Sequence, residues 1–110
     1  MTNRYRVLGQ LVPAANTPST LYTVPAGNSA VISTISVCNL LDYANTTVSI
    51  AVCPGGAALS NQHYIAYNLP LPAADTIALT IGVTMAATDT ISVSSVSGNV
   101  AFNLFGSEVY

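Results

Sequence analysis

Apolar and polar residues alternate at a spacing of two along most of this chain, and the three-and-four spacing of a helix face hardly occurs. Val, Ile, Thr and Tyr fill the alternating stretches, while Gly, Pro, Asn and Asp separate them. The pattern predicts about eight strands, near residues 4–10, 20–25, 29–39, 46–53, 62–69, 75–81, 89–96 and 99–106. Short strands at such intervals indicate an all-β fold, a single-domain antiparallel β-sandwich of jelly-roll or immunoglobulin-like type. One domain over residues 1–110, with a short N-terminal arm over about residues 1–6, accounts for the whole length.

Turn chemistry and hydrophobic pattern together suggest which strands are neighbours. Val24-Pro25-Ala26-Gly27 pairs a φ-fixing Pro with a Gly that tolerates positive φ, which reads as a tight reversal between the second and third strands. Gly98-Asn99 reads as a two-residue hairpin loop, placing Val93 opposite Leu104 and Ser95 opposite Phe102. Ile91, Val93, Val100, Phe102 and Leu104 then share one buried face. A second hairpin, between the strands at 29–39 and 46–53, would pair Val37 with Val48, with Ile35, Ile50 and Val52 also inward. It sets Cys38 opposite Thr47 and Cys53 opposite Ile32, several rungs apart. Bridged cysteines need Cα atoms within about 7 Å, so two free thiols are expected. Free thiols suit synthesis in a reducing cytoplasm.

Composition changes the picture from a fold to a surface. Hydrophobic residues make up 51% of the chain, and its charges are Arg4, Arg6, Asp42, Asp75, Asp89 and Glu108 alone. Typical soluble domains carry about 25% charged residues, against 5% here. The exterior must therefore consist of Ala, Ser, Thr, Asn and apolar side chains, as a protein interface or a membrane allows. No uncharged apolar run reaches the ~18 residues of a spanning helix, and no apolar segment follows Arg4 and Arg6 as in a signal peptide. A barrel pore would need more and longer strands with aromatic girdles. Neither membrane nor nucleic acid is expected as a partner, the latter because two arginines and a net charge of −2 cannot neutralise a phosphate backbone. Neighbouring protein is the expected cover.

Candidate chemistry is sparse, and no enzymatic activity is expected. His63 is the sole imidazole, and no Gly-x-Ser-x-Gly elbow occurs. Asp75 and Asp89 each follow a small-residue turn, where a carboxylate caps backbone N–H groups. Two cysteines with one histidine make no zinc site, and no loop is dense enough in oxygen ligands for calcium. No cofactor or metal is expected. The candidates that remain are contact residues. Arg4 and Arg6 either anchor an arm to an acidic patch or are simply solvated. Leu40, Leu41 and Tyr43 either meet a neighbouring subunit or fold back over the sandwich end. Tyr64 and Tyr67 fall on opposite faces of a regular strand, so at least one is exposed, for a protein or sugar contact or at a sheet margin.

Several segments carry a resemblance. Leu21-Tyr-Thr-Val-Pro-Ala-Gly27, Ser36-Val-Cys-Asn39, His63-Tyr-Ile-Ala-Tyr-Asn68, Leu79 to Ala86, and Asn99 to Val109 are together similar to small structural proteins of tailed phages, including cyanophages. Thr88-Asp89 departs from the Gly-Asp common in that group. The resemblance implies a virion protein without enzymatic activity. A capsid decoration (cement) protein is the first expectation, bound as a homo-oligomer, often a trimer, to the major capsid protein. A neck, tail, baseplate or fibre-attachment protein is the alternative within that class. A carbohydrate- or receptor-binding β-sandwich module is the alternative from another class.

Overall fold

Each alternating stretch forms a strand because one set of its side chains can enter a shared core while the other stays outside. The computed structural model describes residues 3–80 and 82–109. Its strands are β1 (Asn3–Leu11), β2 (Ser19–Thr23), β3 (Ser29–Asn39), β4 (Thr46–Cys53), β5 (Tyr64–Leu71), β6 (Thr76–Leu79), β7 (Val83–Met85), β8 (Thr90–Ser95) and β9 (Val100–Val109). Eight match the expected positions to within about three residues, and β7 is additional. Position 81, the expected end of the sixth strand, lies outside the described residues, as do positions 1, 2 and 110. The expected arm is not separate over Asn3–Arg6, which form the first part of β1 and pair with β9.

The strands make two antiparallel sheets, in the orders β1-β9-β3-β6 and β2-β8-β4-β5, with β7 also paired to β3. The strands β6 and β7 occupy successive stretches of one edge of β3. Counted as one interrupted strand, they leave eight strands in the orders 1-8-3-6 and 2-7-4-5. That is the jelly-roll, and it decides between the two expected sandwich types. Between the sheets lies one core, with Ile32, Ile35, Val37, Val48, Ile50, Ile91, Val93, Phe102 and Leu104 almost wholly buried.

Both expected hairpins are corrected. The strands β3 and β4 belong to different sheets, as do β8 and β9. Val37 pairs with Phe102 and Ile77 rather than Val48, and Cys38 with Ala101 and Thr76 rather than Thr47. Val93 pairs with Ile50 and Ser19 rather than Leu104, Ser95 with Val48 rather than Phe102, and Cys53 with Thr90 rather than Ile32. The inward residues are nonetheless those expected. A hairpin and a corner that carries the chain across the ~10 Å between sheets bury the same alternate positions, so the pattern names a strand's face and not its neighbour. The expected turn lies one residue later, at Pro25–Asn28 rather than Val24–Gly27, with the Asn28 N–H donating to the Pro25 carbonyl at 3.1 Å and Gly27 at φ 83°. It too joins one sheet to the other. Cys38 and Cys53 are free thiols.

Candidate functional site

The outer face of the β1-β9-β3 sheet is the first site the fold builds. Register places Tyr5 beside Ser107, and Ser107 beside Val31, with Val7 beside Phe105 one step along. Tyr5, Val7, Val31 and Phe105 therefore converge from three adjacent strands, and all four are exposed, Tyr5 by 80%. They line an open hollow of about 680 Å³. Its shape comes from two bulges. Leu8 on β1 and Ser33 on β3 are each one residue more than β9 can match, and both fall beside Phe105. The Ser33 hydroxyl donates to the Phe105 carbonyl at 3.2 Å. The neighbouring residue must be glycine, because a Cβ on Gly106 would run into the Val31 carbonyl.

Beneath this edge lies a buried polar cluster that spans the sandwich. Glu108 on β9 is almost fully enclosed; its Oε1 lies 3.2 Å from the Arg6 Nε, and its Oε2 accepts from the Tyr22 hydroxyl of β2 at 2.5 Å. Burial pushes the Tyr22 phenol well above its ordinary range, and the Glu108 hydrogen bond and charge push it the same way. Arg6 is thus tied to Glu108, and both Arg4 and Arg6 are exposed on the edge strand β1. Nothing in local sequence announces this cluster, because Tyr22 and Glu108 are 86 residues apart.

The second site lies on the outer face of the other sheet. The chain slips by one residue on β5 between the pairs Ile50↔Ala66 and Ala51↔Tyr64, and by another between Val48↔Leu69 and Ile50↔Ala66. The first slip overturns the expectation that Tyr64 and Tyr67 face opposite ways. Both point outward and meet edge to face, with ring centroids 4.9 Å apart. A hollow of about 190 Å³ beside them is lined by Thr47, Ser49, Ser94, Asn16 and Asn68 among others. A further hollow of about 270 Å³ shares the same two rings with Asn61.

The remaining candidates sit apart from both faces. Leu40 and Tyr43 are exposed in the β3–β4 connection, and Leu41 is half-buried. That connection hangs on buried Asn39, whose amide donates to the Ala44 and Pro72 carbonyls and whose oxygen accepts from the Leu41 N–H. His63 closes a single 3-10 turn, Asn61–His63, with its Nδ1 accepting from the Ser60 N–H, rather than lying in a strand. Asp75 and Asp89 act as caps. Asp75 accepts from the Thr76 N–H, and Asp89 accepts from the Gly55 and Ala86 N–H groups. Among the described residues no three His, Cys, Asp or Glu side chains gather as metal ligands, and no helix is long and apolar enough to cross a membrane.

The arrangement defines a jelly-roll sandwich whose distinctive features are its outer faces. No family model matches the chain, and no curated protein does. Among solved structures it is similar to a chain from the structure of infectious bursal disease virus, Gx strain. The likeness covers 97% of this chain and 31% of that one, at 12% identity and a TM-score of 0.44. This chain thus spans less than a third of that neighbour's length.

Proposed function

We propose that this protein is a structural component of a virus particle, and that in a tailed phage it decorates the outer capsid as cement. The apolar row Tyr5, Val7, Val31 and Phe105 on a chain with only six charged residues is the observation that carries the reading. Covering the exposed part of each side chain contributes on the order of 1 kcal/mol, so a repeated contact through this face is worth several. The jelly-roll recurs in viral capsid and lectin domains, which fits the proposal without selecting it. The sequence segments similar to tailed-phage structural proteins support the same class.

In this role the protein associates as a homo-oligomer, with a trimer favoured, and packs against the major capsid protein. Cement stabilises a shell because it binds the assembled subunits and not the separated ones, and its many weak contacts act together. The same face would serve a neck, tail or baseplate protein, and copy number separates these addresses. Quantitative mass spectrometry of purified particles should find hundreds of copies for cement, and a handful for the neck or tail. Absence from the particle would end the virion reading. In light scattering, the isolated chain should self-associate, and Tyr5→Ser with Phe105→Ser should weaken that association. A concentration-independent monomer would remove the argument from the surface.

A further inference from the structure

We infer that the hollow beside Tyr64 and Tyr67 is a binding site for a neutral glycan. The slip in β5 is what builds it, since a regular strand would have turned one ring away. Tyr67 is 66% exposed and braced edge to face by Tyr64, so a flat ring is held open to solvent. Such a ring offers a platform for the apolar C–H face of a sugar.

Around the rings most of the lining is amide and hydroxyl, with Pro18 and Val96 its apolar members. Asn16, Asn68, Thr47 and Ser94 make no side-chain hydrogen bonds to other described residues, which leaves their donors and acceptors for a ligand. Asn16 and Asn68 are held in left-handed backbone conformations, at φ 55° and 49°. Each is fixed by a backbone bond: the Asn16 N–H donates to the Ser95 carbonyl at 2.8 Å, and the Asn68 N–H to the Ser49 hydroxyl oxygen at 3.1 Å. Two asparagines anchored through their backbones and flanking one hollow are a preorganised pair of polar contacts.

The chemistry of the lining selects the ligand class. No charged side chain lines the hollow, so phosphate, sulfate and uronate groups would find no cation. An apolar ligand would leave the amides and hydroxyls unpaired. A peptide added to the sheet edge is disfavoured because β5 is slipped twice and contains Pro70. A neutral sugar satisfies both the ring and its polar border. The second hollow, sharing the same rings, gives room for an adjoining residue of an oligosaccharide.

The test is an NMR titration of the intact ¹⁵N-labelled chain with maltohexaose, cellohexaose, xylohexaose and mannohexaose. Hexagalacturonate and a heparin hexasaccharide serve as acidic probes. At least one neutral oligosaccharide should shift the Asn16, Asn68 and Ser94 amides saturably, with weak affinity (Kd ~1 mM). Tyr67→Ala should weaken that binding by about tenfold or more, while Tyr67→Phe keeps the stacking ring and most of the affinity. Tyr43→Ala alters a still more exposed tyrosine elsewhere and should change nothing. The inference is overturned if no neutral probe moves these amides, if an acidic probe binds better, or if Tyr67→Ala binds as the parent does. Its failure would leave the assembly proposal standing, since that rests on the other sheet.

Discussion

Four turns in this protein share one shape, and their third residues show how much a single position can conceal. In Ala14–Thr17, Pro25–Asn28, Pro72–Asp75 and Ala86–Asp89 the fourth N–H donates to the first carbonyl. The third residues Asn16, Gly27, Ala74 and Thr88 all take positive φ. Asn and Gly suit that conformation; Ala and Thr do not. Thr88, at φ 69°, carries a β-branched side chain on a backbone that glycine would favour. Left-handed backbone costs about 1–2 kcal/mol for an ordinary residue, and glycine's flexibility takes back about 0.5–1. Thr88→Gly should therefore raise stability by about 0.5–1 kcal/mol, read as a higher urea midpoint at unchanged slope. Tyr22 supplies the residue-scale pH dependence. Its phenol titrates higher in the folded than in the unfolded chain, where the ordinary value is 10.0. The folded state therefore holds the proton more tightly, and the resulting stability is complete below about pH 10 and lost as pH rises further. Tyr22→Phe should cost about 1–3 kcal/mol at neutral pH, by leaving a buried carboxylate oxygen without its donor. It should also flatten the alkaline fall in the urea midpoint.

At the scale of elements, the bulges decide what the sheets present. The strand β9 runs between β1 and β3, and each flanking strand inserts its extra residue at Phe105. Beside these bulges the Val31 carbonyl occupies the space that a Cβ on Gly106 would need. Gly106→Ala should destabilise the fold by about 1–3 kcal/mol in denaturant titration, because the obstructing atom is backbone and has no alternative rotamer. Ser107→Ala, on the outward face beside it, serves as the control and should cost much less. The β5 slips work similarly on the other sheet: displacement by one residue turns a pair of opposed tyrosines into a single outward platform. Both candidate faces are thus products of irregular pairing.

For the whole molecule, the consequence of six charges is a difference in character between the outer faces of the two sheets. One charge is spent inside, where Glu108 ties β9 to β2 through Tyr22 and holds Arg6 at the edge. Asp75 and Asp89 cap turns. Little charge is left to make either broad face repel a neighbour, and the β1-β9-β3 face is the apolar one. The other face is polar but uncharged around its tyrosines. A largely apolar hollow on one sheet and an uncharged polar one on the other follow from the same scarcity of ionisable residues. With no disulfide, the apolar core between the sheets holds them together.

Eight strand positions, the inward side chains of the regularly paired strands, and the shortage of charge were determined by the amino-acid sequence itself. Period-two alternation and composition are local quantities, and the core residues Ile35, Val37, Ile50, Val93 and Phe102 are where they indicate. Strand neighbours, the bulges, the strained Ala74 and Thr88, the Tyr22–Glu108–Arg6 cluster and the gathering of Tyr5, Val7, Val31 and Phe105 were decided only in the tertiary structure. Turn chemistry allowed β8 to pair with β9, yet packing two sheets over one core placed them apart. Alternation fixes which way a side chain faces on its own strand, whereas partnership depends on the summed burial and hydrogen bonding of strands distant in the chain.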